Sequence, residues 1–257
     1  MSRVKVVTWN VNSLTARWER VREFLETRQP DIVVVQETKQ NDEKFPFRAL
    51  QDLGYDSAHY GQGQWNGVAI LARDEVSDVR RGFGDGDPEA RVISARVGSH
   101  RVYSCYVPNG RSLDNPHYQY KLEWLAKLRD EVAAREGESL ILGGDFNVAR
   151  SDLDCWDPAG WEGSTHVSPP ERLALEEILR AGVDDLARLL HPDETLYTWW
   201  DYRQGSFRRG WGLRIDYLLA DAASASRLLD VYVDRETRKG EKPSDHAALV
   251  AEFASPD

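Results

Sequence analysis

Carboxylates and carboxamides recur where apolar runs of this chain end. Trp9-Asn10-Val11-Asn12 closes the first run, Gln36-Glu37 the second, Tyr106-Val107-Pro108-Asn109 a later one and Gly144-Asp145-Phe146-Asn147 another. Side chains two apart along a strand face the same side. Asn10 with Asn12, and Asp145 with Asn147, are therefore each expected to aim two oxygens into one cavity, while Val11 and Phe146 turn into packing. Oxygen ligands without sulfur suit magnesium or manganese, which keep several waters and take only one or two protein carboxylates. Glu37 is the natural anchor for such an ion. Each segment taken singly also reads as an Asx turn or a loop cap; their agreement is what points to a site.

Ser244-Asp245-His246 stands just before the last apolar run. A histidine titrates near neutrality, and a carboxylate on its far nitrogen would set its tautomer and stabilise its cation. Asp245 is adjacent and points elsewhere along the chain, so Asp216, in Arg214-Ile215-Asp216-Tyr217, is the better partner. Oxygens, an imidazole and a divalent ion together fit water attack on a phosphodiester, in which negative charge grows on nonbridging oxygens while a leaving oxygen departs. Asp145 would take the proton of the attacking water, and Asn147 would hold that water or the phosphate in line. Tyr106 either donates a hydrogen bond to the phosphate, assists a proton transfer as phenolate, or is simply packed.

Such side chains need a framework of strands, and the apolar periodicity supplies one. Residues 4–9 and 32–35 read as buried strands, with Trp18, Val21, Phe24 and Leu25 spaced as one helix face between them. Residues 91–97 and 101–107 flank Gly98-Ser99-His100, which suits an antiparallel hairpin. Residues 115–135 carry Tyr118, Leu122, Leu125, Leu128 and Val132 at helical spacing, and a strand follows at 139–142. Pro169 and Pro170 precede a helix over 171–179, and further strands are expected at 215–219 and 247–253. This pattern predicts an α/β protein with mixed sheets packed face to face and helices outside. No repeat, low-complexity run or linker divides residues 1–257, which read as one domain.

A chain that is 41% hydrophobic and 10% aromatic is too apolar to be disordered, and it has no run long enough to span a bilayer. Met1-Ser2-Arg3 passes directly into a mixed apolar and basic stretch unlike a leader peptide. Cys105 and Cys155 show neither pairing nor metal spacing, so a cytoplasmic location and no membrane partner are expected. The net charge of −10 argues against a general polyanion binder. Yet Arg203, Arg208, Arg209 and Arg214 crowd beside Trp199, Trp200 and Trp211, so positive charge is local.

Six motifs carry a family resemblance. Trp9-Asn10-Val11-Asn12, Gln36-Glu37-Thr38-Lys39, Tyr106-Val107-Pro108-Asn109-Gly110-Arg111, Gly144-Asp145-Phe146-Asn147-Val148-Ala149, Leu213-Arg214-Ile215-Asp216-Tyr217 and Pro243-Ser244-Asp245-His246-Ala247 resemble, in order, those of the exodeoxyribonuclease III family of apurinic/apyrimidinic endonucleases. The resemblance implies a four-layered α/β sandwich with two mixed central sheets, shared with deoxyribonuclease I-like and inositol-phosphatase relatives. It implies a magnesium-dependent DNA-repair monomer, with manganese as substitute. Its substrates would be double-stranded DNA containing abasic sites, cut on their 5′ side, or blocked 3′ ends, with 3′-to-5′ exonuclease action besides.

Carried onto matching positions, the resemblance implies that Glu37 is the main metal carboxylate, with Asn10, Asn12 and Asp245 in or near that shell. Asp145, Asn147 and His246 count among the metal-site residues as well as the catalytic ones. His246 would bind phosphate or transfer a proton, steadied by Asp216, and Tyr106 and Asn109 would contact the phosphate. Some members carry aspartate where Asn12 stands, so this amide implies weaker metal affinity. Trp199, Leu213 and Ile215 would wall a small apolar pocket for an unstacked abasic nucleotide, while Arg111, Arg203, Arg208 and Arg209 grip the DNA backbone. The competing readings are a lipid-headgroup phosphodiesterase on the same framework and a DNA-binding module without turnover. The 197–216 stretch and the Asn109-Gly110-Arg111 motif favour DNA, and the apparently complete catalytic set favours an enzyme.

Overall fold

The computed structural model describes residues 3–255; Met1 and Ser2, which open the stretch read above as unlike a leader, lie outside them. In chain order the strands are β1 (Arg3–Asn10), β2 (Ile32–Gln36), β3 (Asp56–Tyr60), β4 (Val68–Ala72), β5 (Val76–Arg81), β6 (Val92–Val97), β7 (His100–Tyr106), β8 (Leu140–Asp145), β9 (Asp184–Asp185), β10 (Trp199–Trp200), β11 (Gly212–Leu213), β12 (Asp216–Ala220), β13 (Leu228–Asp234) and β14 (Ala248–Ala254). They form one six-stranded sheet in the order β13-β14-β1-β2-β4-β3 and a second in the order β5-β6-β7-β8-β12-β9, with β10 and β11 paired separately. Both six-stranded sheets are mixed, because β1/β2 and β7/β8 are parallel and their other pairings antiparallel.

Residue alternation assigns each face. Val6, Val34 and Ile70 of the first sheet meet Ile93, Val102 and Leu218 of the second, forming the central layer of contact. The intervening Val7, Val33 and Val35 face outward, onto Val21, Phe24 and Leu25 of α1 (Leu14–Arg28). On the far side Tyr103, Leu142 and Leu219 are covered by Trp124, Leu125 and Leu128 of α3 (Pro116–Ala133) and by Leu175 and Ile178 of α5 (Pro169–Arg180), the short α2 (Phe47–Asp52) and α4 (Pro158–Trp161) falling between these helices in the chain. Helix, sheet, sheet and helix make the expected four-layered α/β sandwich. Strands buried on both faces read as near-continuous apolar runs, as these do. The sheets approach closely: a Cβ on Gly143 would lie 2.4 Å from Val34 Cγ2, so glycine alone fits there.

Element ends differ from expectation for local reasons. Pro169 and Pro170 do not precede α5 but start it, since the first helical turn needs no amide donor from them. Ser168 and Glu171 close that end as a capping box. Asn115 caps α3 rather than joining it, and β8 runs on to Asp145. On α3 the buried stripe takes Lys121 in place of the expected Leu122, which is half-buried. Among the described residues no helix is long and apolar enough to cross a membrane.

Candidate active site

The polar strand ends gather at one edge of the sandwich. Asp145 closes β8, with Tyr106 of the parallel β7 beside it on one side and Asp216 of the antiparallel β12 on the other. Asn10 closes β1 opposite Gln36 of β2, which places Glu37 immediately beyond. Glu37 has φ 53°, a left-handed conformation costly for a residue with a long side chain. Its backbone is held there by Ser13 N–H donating to its carbonyl at 2.7 Å and by Thr38 N–H donating to Gly67 at 3.1 Å. His246 arrives from the turn before β14, tied to Trp199 by a β-bridge.

Glu37, Asp145 and His246 each offer a ligand atom, and these atoms lie within 4.8 Å of one another. His246 Nδ1 is 2.8 Å from Asp216 Oδ2, and its other nitrogen is 3.7 Å from Asp145 Oδ2. The far-nitrogen partner is thus Asp216, as the sequence predicts. Asn10 Nδ2 donates to Glu37 Oε1 at 2.8 Å and to Asp145 Oδ2 at 2.9 Å, bridging the two carboxylates. Lys39 Nζ stands 2.9 Å from Glu37 Oε2. Among the described residues Asp216 Oδ1 is buried with no hydrogen-bond partner. The Glu37 and Asp145 carboxylates around one point, with the unpartnered Asp216 oxygen behind the imidazole, fit a divalent cation bound mainly through oxygen.

Burial drives the electrostatics. Desolvation lifts the Asp145 carboxyl to about 7; the His246 cation opposes that shift, while Asp216 and Glu37 add to it. For His246 burial disfavours the cation, yet Asp216 and Asp145 outweigh it and raise the imidazolium to about 10. Burial, then the charges of Glu37 and Asp145, hold the Tyr106 hydroxyl well above its ordinary value, against the opposing Arg91 guanidinium 4.8 Å over its ring. Tyr106 is therefore a neutral donor in these surroundings, which disfavour the phenolate.

Several expected ligands are placed differently. Asn12 and Asn147 lie beyond their strands with φ 45° and 52°, so strand alternation does not aim them. Asn10 Oδ1 accepts from Asn12 N–H at 2.9 Å, which turns its nitrogen, not its oxygen, toward the carboxylates. Asn12 spans from Lys39, which donates to its Oδ1 at 2.6 Å, to Asp245, which accepts from its Nδ2 at 3.0 Å. Asp245 accepts from Asn12 on one oxygen and from Trp199 Nε1 at 3.0 Å on the other, and it stands outside the ligand cluster. Asn147 donates to the Val107 carbonyl at 3.0 Å and accepts from Asn109 Nδ2 at 3.4 Å. Asn10, Asn12, Asp245 and Asn147 thus lie around the cluster.

Leu213 and Ile215 come together with Ala149, Cys155 and Val167, and with Trp199 and Trp161 on top. Leu213 is 0% and Ile215 2% exposed, so the expected pocket wall is covered rather than open. Arg111, Arg203, Arg208 and Arg209 are all exposed, Arg203 in the 3-10 turn Arg203–Gly205 and Arg208 and Arg209 in the short helix Ser206–Arg209; Arg203 pairs with Asp201 at 2.7 Å. Arg214 departs from the arginine cluster: it is fully buried between Asp154 and Asp185 and serves packing.

Sequence reasoning missed the layer behind the site. His166 Nε2 lies 3.0 Å from Asn147 Oδ1 and 3.2 Å from Asn109 Nδ2, and its ring meets Trp161 edge-on. Burial and the nearby Lys121 cation keep it neutral, its pKa lowered to about 3. Lys121 and Glu171, both 0% exposed, form an ion pair, and Lys121 Nζ donates to the carbonyls of Asn147 at 2.6 Å and Asn109 at 3.3 Å. A lysine on the apolar stripe of α3 was the available signal for this pair; His166 sits in no periodic pattern and had none.

A model of the endonuclease/exonuclease/phosphatase family matches residues 7–246. Exodeoxyribonuclease III of Haemophilus influenzae is 34% identical over 97% of this chain and 100% of its own length. Among solved structures, the 3′ phosphatase NExo from Neisseria, bound to a product DNA hairpin, is 44% identical with a TM-score of 0.96, over 98% of this chain and 100% of that one. An AP endonuclease from Archaeoglobus fulgidus is 37% identical, also with a TM-score of 0.96 and the same coverage.

Proposed function

The chain belongs to the endonuclease/exonuclease/phosphatase family, and from that premise we propose that it is a magnesium-dependent DNA-repair hydrolase. It cuts the backbone of double-stranded DNA 5′ to abasic sites and processes blocked 3′ ends, with 3′-to-5′ exonuclease action. The observation that carries this reading is the convergence of Glu37, Asp145 and His246, with Asp216 fixing the imidazole. Manganese substitutes for magnesium, and the protein acts as a cytoplasmic monomer.

Asp145 accepts the proton of the attacking water, a role its raised pKa of about 7 suits. Asn10 orients that carboxylate through its amide donor. The His246 imidazolium, held by Asp216, faces the nonbridging oxygens and stabilises their growing charge. Tyr106 donates from its neutral hydroxyl, and the Asn109 amide helps hold the phosphate in line. Glu37 would hold the divalent cation at the edge of this cluster, and the ion when bound would neutralise phosphate charge. The exposed Arg111, Arg203 and Arg208 supply phosphate contacts, offsetting a net charge that otherwise repels DNA.

The test is an end-labelled duplex with one internal abasic site, run beside a duplex ending in a 3′-phosphate, each in magnesium and in chelator. A nick 5′ to the abasic site or release of the 3′-phosphate, in magnesium only, is the expected result. Intact DNA together with hydrolysis of phospholipid headgroups would replace this reading with the lipid one.

A further inference from the structure

Trp156 and Trp211 stack with ring centroids 4.7 Å apart and planes 14° from parallel. The Arg209 guanidinium lies 4.5 Å over the Trp211 ring. The order guanidinium, indole, indole makes a column whose outer end is Trp156. That ring is 36% exposed, joins no hydrophobic cluster, and has Trp211 as its one ring partner among the described residues. Its backbone is nevertheless fixed. Trp156 N–H donates to the Gly212 carbonyl at 3.1 Å, and Cys155 bridges to Leu213.

This column continues the wall of the proposed site, since Cys155 and Leu213 belong to the apolar cluster that Trp199 covers, and Trp199 in turn bonds Asp245 beside the catalytic residues. A flat, rigid, π-rich surface backed by a cation recognises another flat ring, and stacking on it is tolerant of which base is offered. Arg208 and Arg209 add charge complementary to flanking phosphates. A base inside a duplex has both faces covered by its neighbours, so only an unpaired one can present a face to Trp156. Resting on the DNA-repair reading above, we propose that Trp156, Trp211 and Arg209 form a stacking platform for one unpaired nucleobase next to the cleaved linkage. The platform favours substrates whose 3′ terminus is frayed or mismatched.

The test compares binding to two labelled duplexes, one with a paired 3′ terminus and one with a two-nucleotide 3′ mismatch, followed by fluorescence anisotropy in chelator so that no cleavage occurs. Wild type should bind the mismatched end about tenfold more tightly, a ratio within what stacking of one base on an aromatic side chain supplies. Trp156→Leu keeps apolar bulk but no π-face and should erase that preference while leaving paired-end affinity and magnesium-dependent cleavage of the paired duplex at wild-type levels. Trp156→Phe, which retains a ring, should restore part of it. Equal wild-type affinity for the two ends, or equal weakening of both by Trp156→Leu, would overturn the platform while the nuclease reading stands. Failure of wild type to bind or cut either duplex would instead overturn the nuclease reading itself.

Discussion

Replacing Lys121 by methionine should leave Glu171 as an uncompensated charge in a dry interior. Both side chains are 0% exposed. Beyond its partner, Lys121 Nζ donates to the carbonyls of Asn147 at 2.6 Å and Asn109 at 3.3 Å, the backbone of the two residues proposed to hold the phosphate or the attacking water. Glu171 accepts from Thr165 Oγ1 at 2.7 Å and from the amides of His166 at 2.9 Å and Ser168 at 3.2 Å. Breaking a buried pair by removing one partner costs about 3–5 kcal/mol, a large share of a typical total of about 5–15 kcal/mol. Lys121→Met and Glu171→Gln should each fall in that range. The double variant, having no stranded charge, should lose about as much as the worse single one, which puts the coupling near ~3 kcal/mol, at the top of what neighbouring residues display. Urea denaturation of wild type, both singles and the double measures this directly. In the folded baseline, kcat should drop about 10- to 100-fold with KM little changed, because misplacing positioning groups by a fraction of an ångström is costly. Additive single costs, or a Lys121→Met enzyme with unchanged kcat, would refute the assignment of this pair as the support of Asn109 and Asn147.

Asp145→Asn and His246→Ala should each reduce turnover by at least about 100-fold while DNA affinity in chelator stays near wild type, since both act on the transition state; comparable loss of binding would make them recognition residues. The His246 imidazolium is raised from 6.5 to about 10 in the folded protein, so its stabilisation is fully present below pH about 6.5 and is lost as pH rises through about 10. Metal-free melting between these limits should follow that decline, and Asp216→Asn should flatten it; an unchanged profile in the variant would show that Asp216 is not what holds the charge. Arg203→Ala and Arg208→Ala should each lower the slope of log affinity against log salt by about 0.9 if the side chain contacts a phosphate, and an unchanged slope removes that residue from the DNA contact set.

The site was legible in the sequence where function depends on residue type at strand ends. Glu37 and Asp145 follow apolar runs that must be strands, while Asp216 and His246 stand at the start of others; because β12 and β14 run antiparallel to β8 and β1, their starts lie beside those strands' ends. The His246–Asp216 pairing was legible for a further reason: neighbouring Asp245 cannot reach the far ring nitrogen, so the partner had to come from another strand. The direction of individual amides was not legible. Asn10 shows its nitrogen to the carboxylates because Asn12 N–H, one turn beyond the strand, claims its oxygen.

Periodicity and composition determined the α/β class, the two-faced strands and the chemical type of the catalytic groups, because these depend on burial and on donor atoms that each residue carries wherever it sits. Tertiary structure alone decided that Leu213 and Ile215 are covered, that Arg214 is interior while Arg203 and Arg208 are not, and that Lys121 rather than Leu122 faces the core beneath the site. Those outcomes turn on which surfaces meet across the sandwich and on whether a buried charge finds its counter-ion. Both are set by contacts between segments far apart in the chain, and such contacts leave no local pattern in the order of residues.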